Sequence, residues 1–228
     1  MFKNLPKIYF SFKKHGVSFV LKNITERFLF DLINNTDTTR SLPKDEYISR
    51  PESFSHGNDY ACAFTSEIEL AFNFLFNRLG VDFINFSFVD IGCGKGKVLI
   101  VWEKMLKSIG LTQRVLGIEY FLPLIQVAKE NYLNALHKNI HIYNGDAAKF
   151  DYHSLGNKQI IFMYNPFDEI ILDQVLDKLV SVKSYIIYNN PVHAATIESH
   201  GFEKIYERNG KHMNEVTYIY TLPVVDAL

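Results

Sequence analysis

Phe86–Ile100 reads F-S-F-V-D-I-G-C-G-K-G-K-V-L-I. The apolar residues Phe86, Phe88, Val89 and Ile91 run into three glycines at alternate positions, Gly92, Gly94 and Gly96, and a second apolar series begins at Val98. This order predicts a buried strand, a tight turn and the start of a helix. Glycine has no Cβ, so backbone can approach a ligand closely and φ can turn positive without penalty. The N–H groups that open the helix have no intrahelical partner and favour anionic or electron-rich ligand atoms. The stretch is therefore expected to hold a small cofactor. Its spacing is G-x-G-x-G, with Asp90 two residues ahead of the first glycine. The dinucleotide fingerprint is G-x-G-x-x-G, so a nicotinamide oxidoreductase is disfavoured.

Outward from this stretch, 228 residues with 47% hydrophobic content can bury the core of one domain with an appendage. The net charge of −1 gives no overall basic field for nucleic acid or an anionic membrane. Residues 1–40 are locally basic, with Lys3, Lys7, Lys13, Lys14, Lys22, Arg27 and Arg40 against Glu26, Asp31 and Asp37. That surplus reads as a solvated helix face in preference to a docking surface. Two cysteines, Cys62 and Cys93, make no disulfide framework and suit reduced thiols. No apolar run reaches the length of a membrane span, and no signal-type N-terminus is present. The expectation is a soluble cytoplasmic protein, with the oligomeric state left open.

Along the chain, Met1–Asn35 carries loose helical periodicity, and Thr36–Asp59 shifts to loop composition. Ser66-x-x-Glu69 reads as a capping box, with Gly80 as the stop, for a helix from about Glu67 to Leu79. Beyond the glycine turn, expected helices over about Lys95–Ser108, Pro123–His137, Asp168–Val180 and Pro191–Ser199 separate expected strands. Those strands are Arg114–Glu119, Ile140–Tyr143, Gln159–Tyr164 and Ser184–Tyr188. The last two strands, Phe202–Glu207 and Glu215–Leu222, have only a polar turn between them and should form an antiparallel hairpin at one edge. The fold class is α/β: a doubly wound, mostly parallel, Rossmann-like seven-stranded sheet with that C-terminal hairpin. Residues 1–64 form an N-terminal helical or lid segment and residues 65–228 the main domain.

The D-x-G-x-G-x-G pattern of Asp90–Gly96 resembles motif I of the class I S-adenosylmethionine (SAM)-dependent methyltransferases. Val89–Lys97 together with Tyr164-Asn165-Pro166-Phe167 also resembles bacterial members of that class whose substrate is unassigned. The resemblance covers roughly Thr65–Leu222. It implies SAM as cofactor, S-adenosylhomocysteine as product, and a cofactor site at Asp90, Gly92, Cys93, Gly94, Gly96, Glu119, Tyr120, Asp146, Ala147 and Asn165. Glu119 ends the second strand, where a carboxylate can accept hydrogen bonds from both ribose hydroxyls. Asp146 follows the third strand, where the family contacts the adenine amino group. Asp90 lies near the cationic methionine moiety.

Asn165-Pro166-Phe167 resembles motif IV of the amino-methylating members, though with one proline in place of two. An Asn carbonyl and the adjoining backbone carbonyl can accept an amine's hydrogens while an aromatic ring supports the substrate or the sulfonium. These three residues are the expected catalytic set, for direct in-line N-methylation of an amine or amide on a protein side chain or small molecule. Near-neutral charge argues against a large nucleic-acid acceptor. The other readings are an O-methyltransferase, or a non-catalytic SAM- or S-adenosylhomocysteine-binding subunit. Tyr60-Ala61-Cys62-Ala63-Phe64-Thr65 reads either as a lid over the cofactor, with Tyr60 or Thr65 near the methyl group, or as a plain lead-in to the helix. His193 lacks an orienting carboxylate and reads as a surface histidine. The histidines and cysteines show no metal-ligand spacing, so no metal site is expected.

Overall fold

The computed structural model describes residue 17 and residues 19–42 and 52–223. The earlier part of the expected N-terminal helical segment, and linker residues 43–51, lie outside the described residues. Helix α1 covers residues 19–34 and includes a π-helical turn at Ile24–Phe28. Helix α2 covers Thr65–Asn73 and continues through the π-helical Phe74–Arg78. Then come β1 Ser87–Ile91, α3 Lys97–Ser108, β2 Val115–Glu119, α4 Leu122–Leu136 and β3 Ile142–Asn144. They are followed by β4 Lys158–Tyr164, α5 Glu169–Leu179, β5 Lys183–Asn189, α6 Ala194–Ser199, β6 Glu203–Arg208 and β7 Thr217–Thr221.

The strands form one sheet in the order β3-β2-β1-β4-β5-β7-β6. The first five are parallel, and β7 pairs antiparallel with both β5 and β6. Sequence reading and structure therefore agree on the mixed seven-stranded sheet. The chain order reverses between β1 and β4, which opens a crevice at the carboxyl ends of the strands.

Adjacent residues of each central strand serve opposite layers. Phe88, Ile160, Phe162 and Ile187 pack with Ile68, Phe72, Trp102 and Tyr132 from α2, α3 and α4. Val89, Ile161, Met163 and Ile186 pack with Leu172, Val175 and Leu176 from α5. Every residue of β1 and β2 is buried, which is why those strands read as continuous apolar runs.

Helix α2 departs from the expected capping box. Its N-cap is Phe64, which makes no side-chain cap. The cap comes from α1: Glu26 Oε2 accepts from Ser66 N–H at 2.9 Å and Oε1 from Ser66 Oγ at 2.8 Å. A carboxylate at a helix N-terminus satisfies an orphan donor and favours the dipole, so this contact ties α1 to α2.

Gly117, in the middle of β2, is required by packing. A Cβ there would lie 2.5 Å from Cys93 Sγ and 3.1 Å from Leu99 Cδ1. Gly117→Ala is expected to cost roughly 1–3 kcal/mol through overpacking. A lowered urea midpoint with unchanged slope would report it; an unchanged midpoint would show that Cys93 yields freely.

Candidate active site

The glycine turn is built by its own hydrogen bonds. Gly92 and Cys93 N–H both donate to Ile118 O, at 2.8 and 3.1 Å, and Gly96 N–H donates to Cys93 O at 2.9 Å. All three glycines hold positive φ, +73°, +51° and +82°. A Cβ on Gly92 would meet Pro166 Cβ at 2.5 Å, and one on Gly94 would fall under 3.0 Å from the Tyr60 ring. In this structure the groups packed closest over these two glycines are Pro166 and Tyr60.

Glu119 ends β2 against this turn. Its Oε2 accepts from Gly94 N–H at 3.0 Å; Oε1 accepts from Tyr120 N–H at 2.9 Å and Phe121 N–H at 3.0 Å. Burial pushes the carboxyl upward, and the three N–H donors oppose that shift. Asp90 lies beside it in β1. Burial first, then the Glu119 charge, hold Asp90 well above the usual carboxylate range. The three N–H donors favour the charged form of Glu119.

A cleft opens over these groups, with about 760 Å³ of free space when the open solvent at its mouth is included. Its floor includes Gly92, Glu119, Gly145 and Asp146, and its apolar walls include Phe121, Leu124, Ala147 and Ile171. Tyr164, Pro166 and Phe167 close the side toward β4, and Ser53 with residues 57–61 forms the roof. Of the expected site residues, Gly92, Glu119, Tyr120, Asp146, Ala147, Pro166 and Phe167 line this one cleft. Asp90 and Cys93 are buried behind it, Gly94 lies beneath the Tyr60 ring, and Gly96 packs toward Ala128 of α4.

Asn165 is oriented differently from the sequence expectation. Its backbone is left-handed, with φ 42°, and its side chain turns away from the cleft, where Oδ1 accepts from Tyr188 Oη at 3.1 Å. His193 N–H donates to the same tyrosine oxygen at 3.4 Å, so the tyrosine proton is free to face Asn165. The carbonyls of this turn point toward the roof instead. Asn165 O accepts from Asn58 Nδ2 at 2.8 Å, and Pro166 O accepts from Asn58 N–H at 2.9 Å. Asp168 N–H donates to His56 O, and the His56 ring pairs with the Asp168 carboxylate, both at 2.8 Å. A bridge between Gly57 and Phe167 completes this short antiparallel strap.

The roof is also fixed at its other contacts. Ser53 donates to Asp146 Oδ2, while Asp146 Oδ1 accepts from Ala148 N–H at 2.9 Å. Phe54 packs edge-on to Phe121. Tyr60 Oη donates to Thr38 O at 2.6 Å, and Lys95 in the glycine turn pairs with Asp37 at 3.0 Å. Thr65, the other residue of the lid reading, bonds Glu26 O and does not line the cleft.

Sequence reasoning missed Ser53, His56, Asn58 and Tyr188. The first three fall in a polar stretch with no periodicity, and Tyr188 reads as one more core residue of β5. Among the described residues, no group of three or more His, Cys, Asp or Glu side chains is placed to hold a metal ion, and no helix is long and apolar enough to cross a membrane.

The cradle of glycines, the buried strand-end carboxylate and the apolar walls fit an adenosyl cofactor. A seven-stranded sheet with this order and a cleft at its switch point defines the class I methyltransferase architecture. The family model described as "Methyltransferase domain" matches residues 84–209. The chain belongs to that family and is a SAM-dependent methyltransferase. PH1948 from Pyrococcus horikoshii is similar in structure, with a TM-score of 0.53 and 15% identity over 89% of this chain and 98% of that one. DesVI from Streptomyces venezuelae has a TM-score of 0.51 and 11% identity, over 70% and 92%. At such identities the likeness establishes the fold. Comparison with curated proteins finds no match.

Proposed function

We propose that the protein methylates a nitrogen acceptor held at the Asn165-Pro166-Phe167 turn. One observation carries this reading: both carbonyls of the turn, Asn165 O and Pro166 O, receive N–H donors, here the amide and backbone nitrogen of Asn58. A carbonyl pair of this kind accepts the hydrogens of an amine or amide. It aligns the nitrogen without supplying a base. The bound SAM would supply an already activated methyl group, so orientation can account for much of the rate. Phe167 and Tyr164 form the aromatic side of the cleft, suited to a planar substrate or a cationic centre.

In this proposal Glu119 accepts from the ribose hydroxyls. Asp146 and Ala147 face the adenine. Gly92, Cys93, Gly94 and Gly96 leave room for the methionine portion, and Asp90 with Tyr120 supports the same site. The orientation of Asn165 adds a refinement to the sequence expectation. Its side-chain carbonyl serves Tyr188, and in this proposal the acceptor amine takes the place of Asn58 on the backbone carbonyls. Residues 1–64 act as an appendage and roof on a methyltransferase domain of residues 65–228. The resemblance to bacterial enzymes bearing Y-N-P-F supports the same division.

The test is methyl transfer from radiolabelled SAM to fractionated protein, small amines and RNA. Alkali-stable label on an amine or amide nitrogen is expected. Label released by alkali as methanol, or confined to RNA ribose oxygens, would overturn the nitrogen assignment. With an acceptor in hand, Asn165→Ala should lower kcat by about tenfold or more while leaving SAM affinity nearly intact, because it removes the Tyr188 contact that holds the turn. Unchanged turnover would remove Asn165 from the positioning set.

A further inference from the structure

Helix α1 is amphipathic in the reverse sense. Its polar side chains face the protein body: Lys22 pairs with Glu215 at 3.0 Å and Glu67 at 3.5 Å, Glu26 caps Ser66, and Arg27 donates to Cys62 O at 3.0 Å. Lys97 from α3 reaches up to donate to Glu26 O. These contacts fix the rotation of the helix, so the outward face is set by specific bonds. Between residues 19 and 34 the exposed positions are Leu21, Ile24, Thr25, Phe28, Leu29, Leu32 and Ile33. Phe28, Leu32 and Ile33 are 60%, 68% and 79% exposed. A water-facing helix normally shows charge on this side; this one shows a threonine and six large apolar residues. Contiguous apolar surface of that kind marks a binding face.

The sequence leading into the face indicates what covers it. Residues 1–16 contain Lys3, Lys7, Lys13 and Lys14 and no carboxylate, with Phe2, Leu5, Ile8, Tyr9, Phe10 and Phe12 among them. The chain as a whole has a net charge of −1, so this cationic character is local. Basic and aromatic residues adjoining an uncharged apolar helix face match the chemistry of an anionic bilayer surface. Lysines are drawn to the headgroups, aromatic rings settle at the interface, and the apolar face enters the acyl boundary.

We infer that the α1 face docks on an anionic lipid surface, holding the enzyme at a membrane without spanning it. The solvated-face reading of the basic N-terminal region accounts for the charges but leaves the apolar face unexplained.

The test is sedimentation of the full chain with phosphatidylcholine vesicles, with and without phosphatidylserine. Wild type should sediment with the phosphatidylserine vesicles and be released as salt is raised, since the Debye length shortens from about 10 Å at 0.1 M to about 3 Å at 1 M. Leu32→Asp and Phe28→Asp should each weaken this binding by about tenfold or more, and Lys13→Glu with Lys14→Glu should remove its salt dependence. Both helix positions are exposed, and an unchanged thermal midpoint would verify that the variants are folded. No sedimentation with either vesicle, or equal sedimentation of wild type and the folded Leu32→Asp variant, would overturn the inference. So would a wild-type dimer in solution that Leu32→Asp converts to monomer, which would assign the face to a second copy.

Discussion

Glu119→Ala is expected to lower affinity for SAM and S-adenosylhomocysteine by about 100-fold or more. A charge-assisted hydrogen bond contributes roughly 1.5–3 kcal/mol, and two ribose hydroxyls are proposed to donate to this carboxylate. Tenfold in affinity corresponds to about 1.4 kcal/mol, so losing both bonds reaches that range. The same change also strikes the fold. Gly94, Tyr120 and Phe121 N–H all donate to Glu119, and an unsatisfied buried donor costs about 1–3 kcal/mol. A lower melting temperature should therefore accompany the loss of binding. Glu119→Gln separates the two effects, because it preserves the shape and removes the charge. Its amide can still accept through one oxygen but presents an N–H₂ group to the remaining donors, so the loss of stability should be partial. Calorimetric titration of both folded variants with SAM is the measurement. Wild-type affinity in folded Glu119→Gln would show that the carboxylate serves the turn alone and leaves the ribose to other groups.

The central strands β1, β2 and β4 were legible because they are buried on both faces and announce themselves as apolar runs bounded by turn residues. The glycine turn was legible for the same reason that it is built as it is: three positions demand positive φ or a missing Cβ, and only glycine supplies both. Glu119, Asp146 and the Asn165–Phe167 turn could be singled out as candidates because they stand at strand ends, where an α/β sheet gathers its ligand contacts, and Glu119, Asp146, Pro166 and Phe167 line one cleft. What could not be read depended on distance in sequence. Ser66 looked like its own helix cap, yet the carboxylate that satisfies it is Glu26, forty residues away. The direction of the Asn165 side chain depends on Tyr188, which periodicity identifies only as core. The strap joining His56–Asn58 to Asn165–Asp168 joins residues more than a hundred positions apart, and nothing in a polar, aperiodic stretch announces a partner so remote. The outward turn of α1 belongs with these cases. Its residues show helical period, but which side faces water is decided by Glu67, Glu215, Cys62 and Ser66, all on other elements.

Gly94→Val should abolish cofactor binding, and the geometry separates two ways this can happen. Gly94 holds φ +51°, a conformation that costs an L-residue about 1–2 kcal/mol and a β-branched one more. The Tyr60 ring rests directly above it, so any Cβ meets that ring. Tyr60 is itself held by its hydroxyl on Thr38 O, and displacing the ring disturbs the roof together with the turn. If Tyr60 alone were the obstacle, removing it should cure the defect. The double variant Gly94→Val with Tyr60→Ala is therefore the deciding protein. It should regain part of the lost stability, since the clash with the ring is gone, yet still bind no SAM, because the cofactor is proposed to approach the backbone where the valine side chain would project. Ligand at ~100 times its dissociation constant adds about 2.7 kcal/mol to wild-type stability. Both the single and the double variant should show no shift in thermal midpoint at the same concentration. A normal shift in folded Gly94→Val would remove the glycine turn from the cofactor site. A shift restored only in the double variant would make Tyr60, and not the turn, the element that decides whether the cofactor enters.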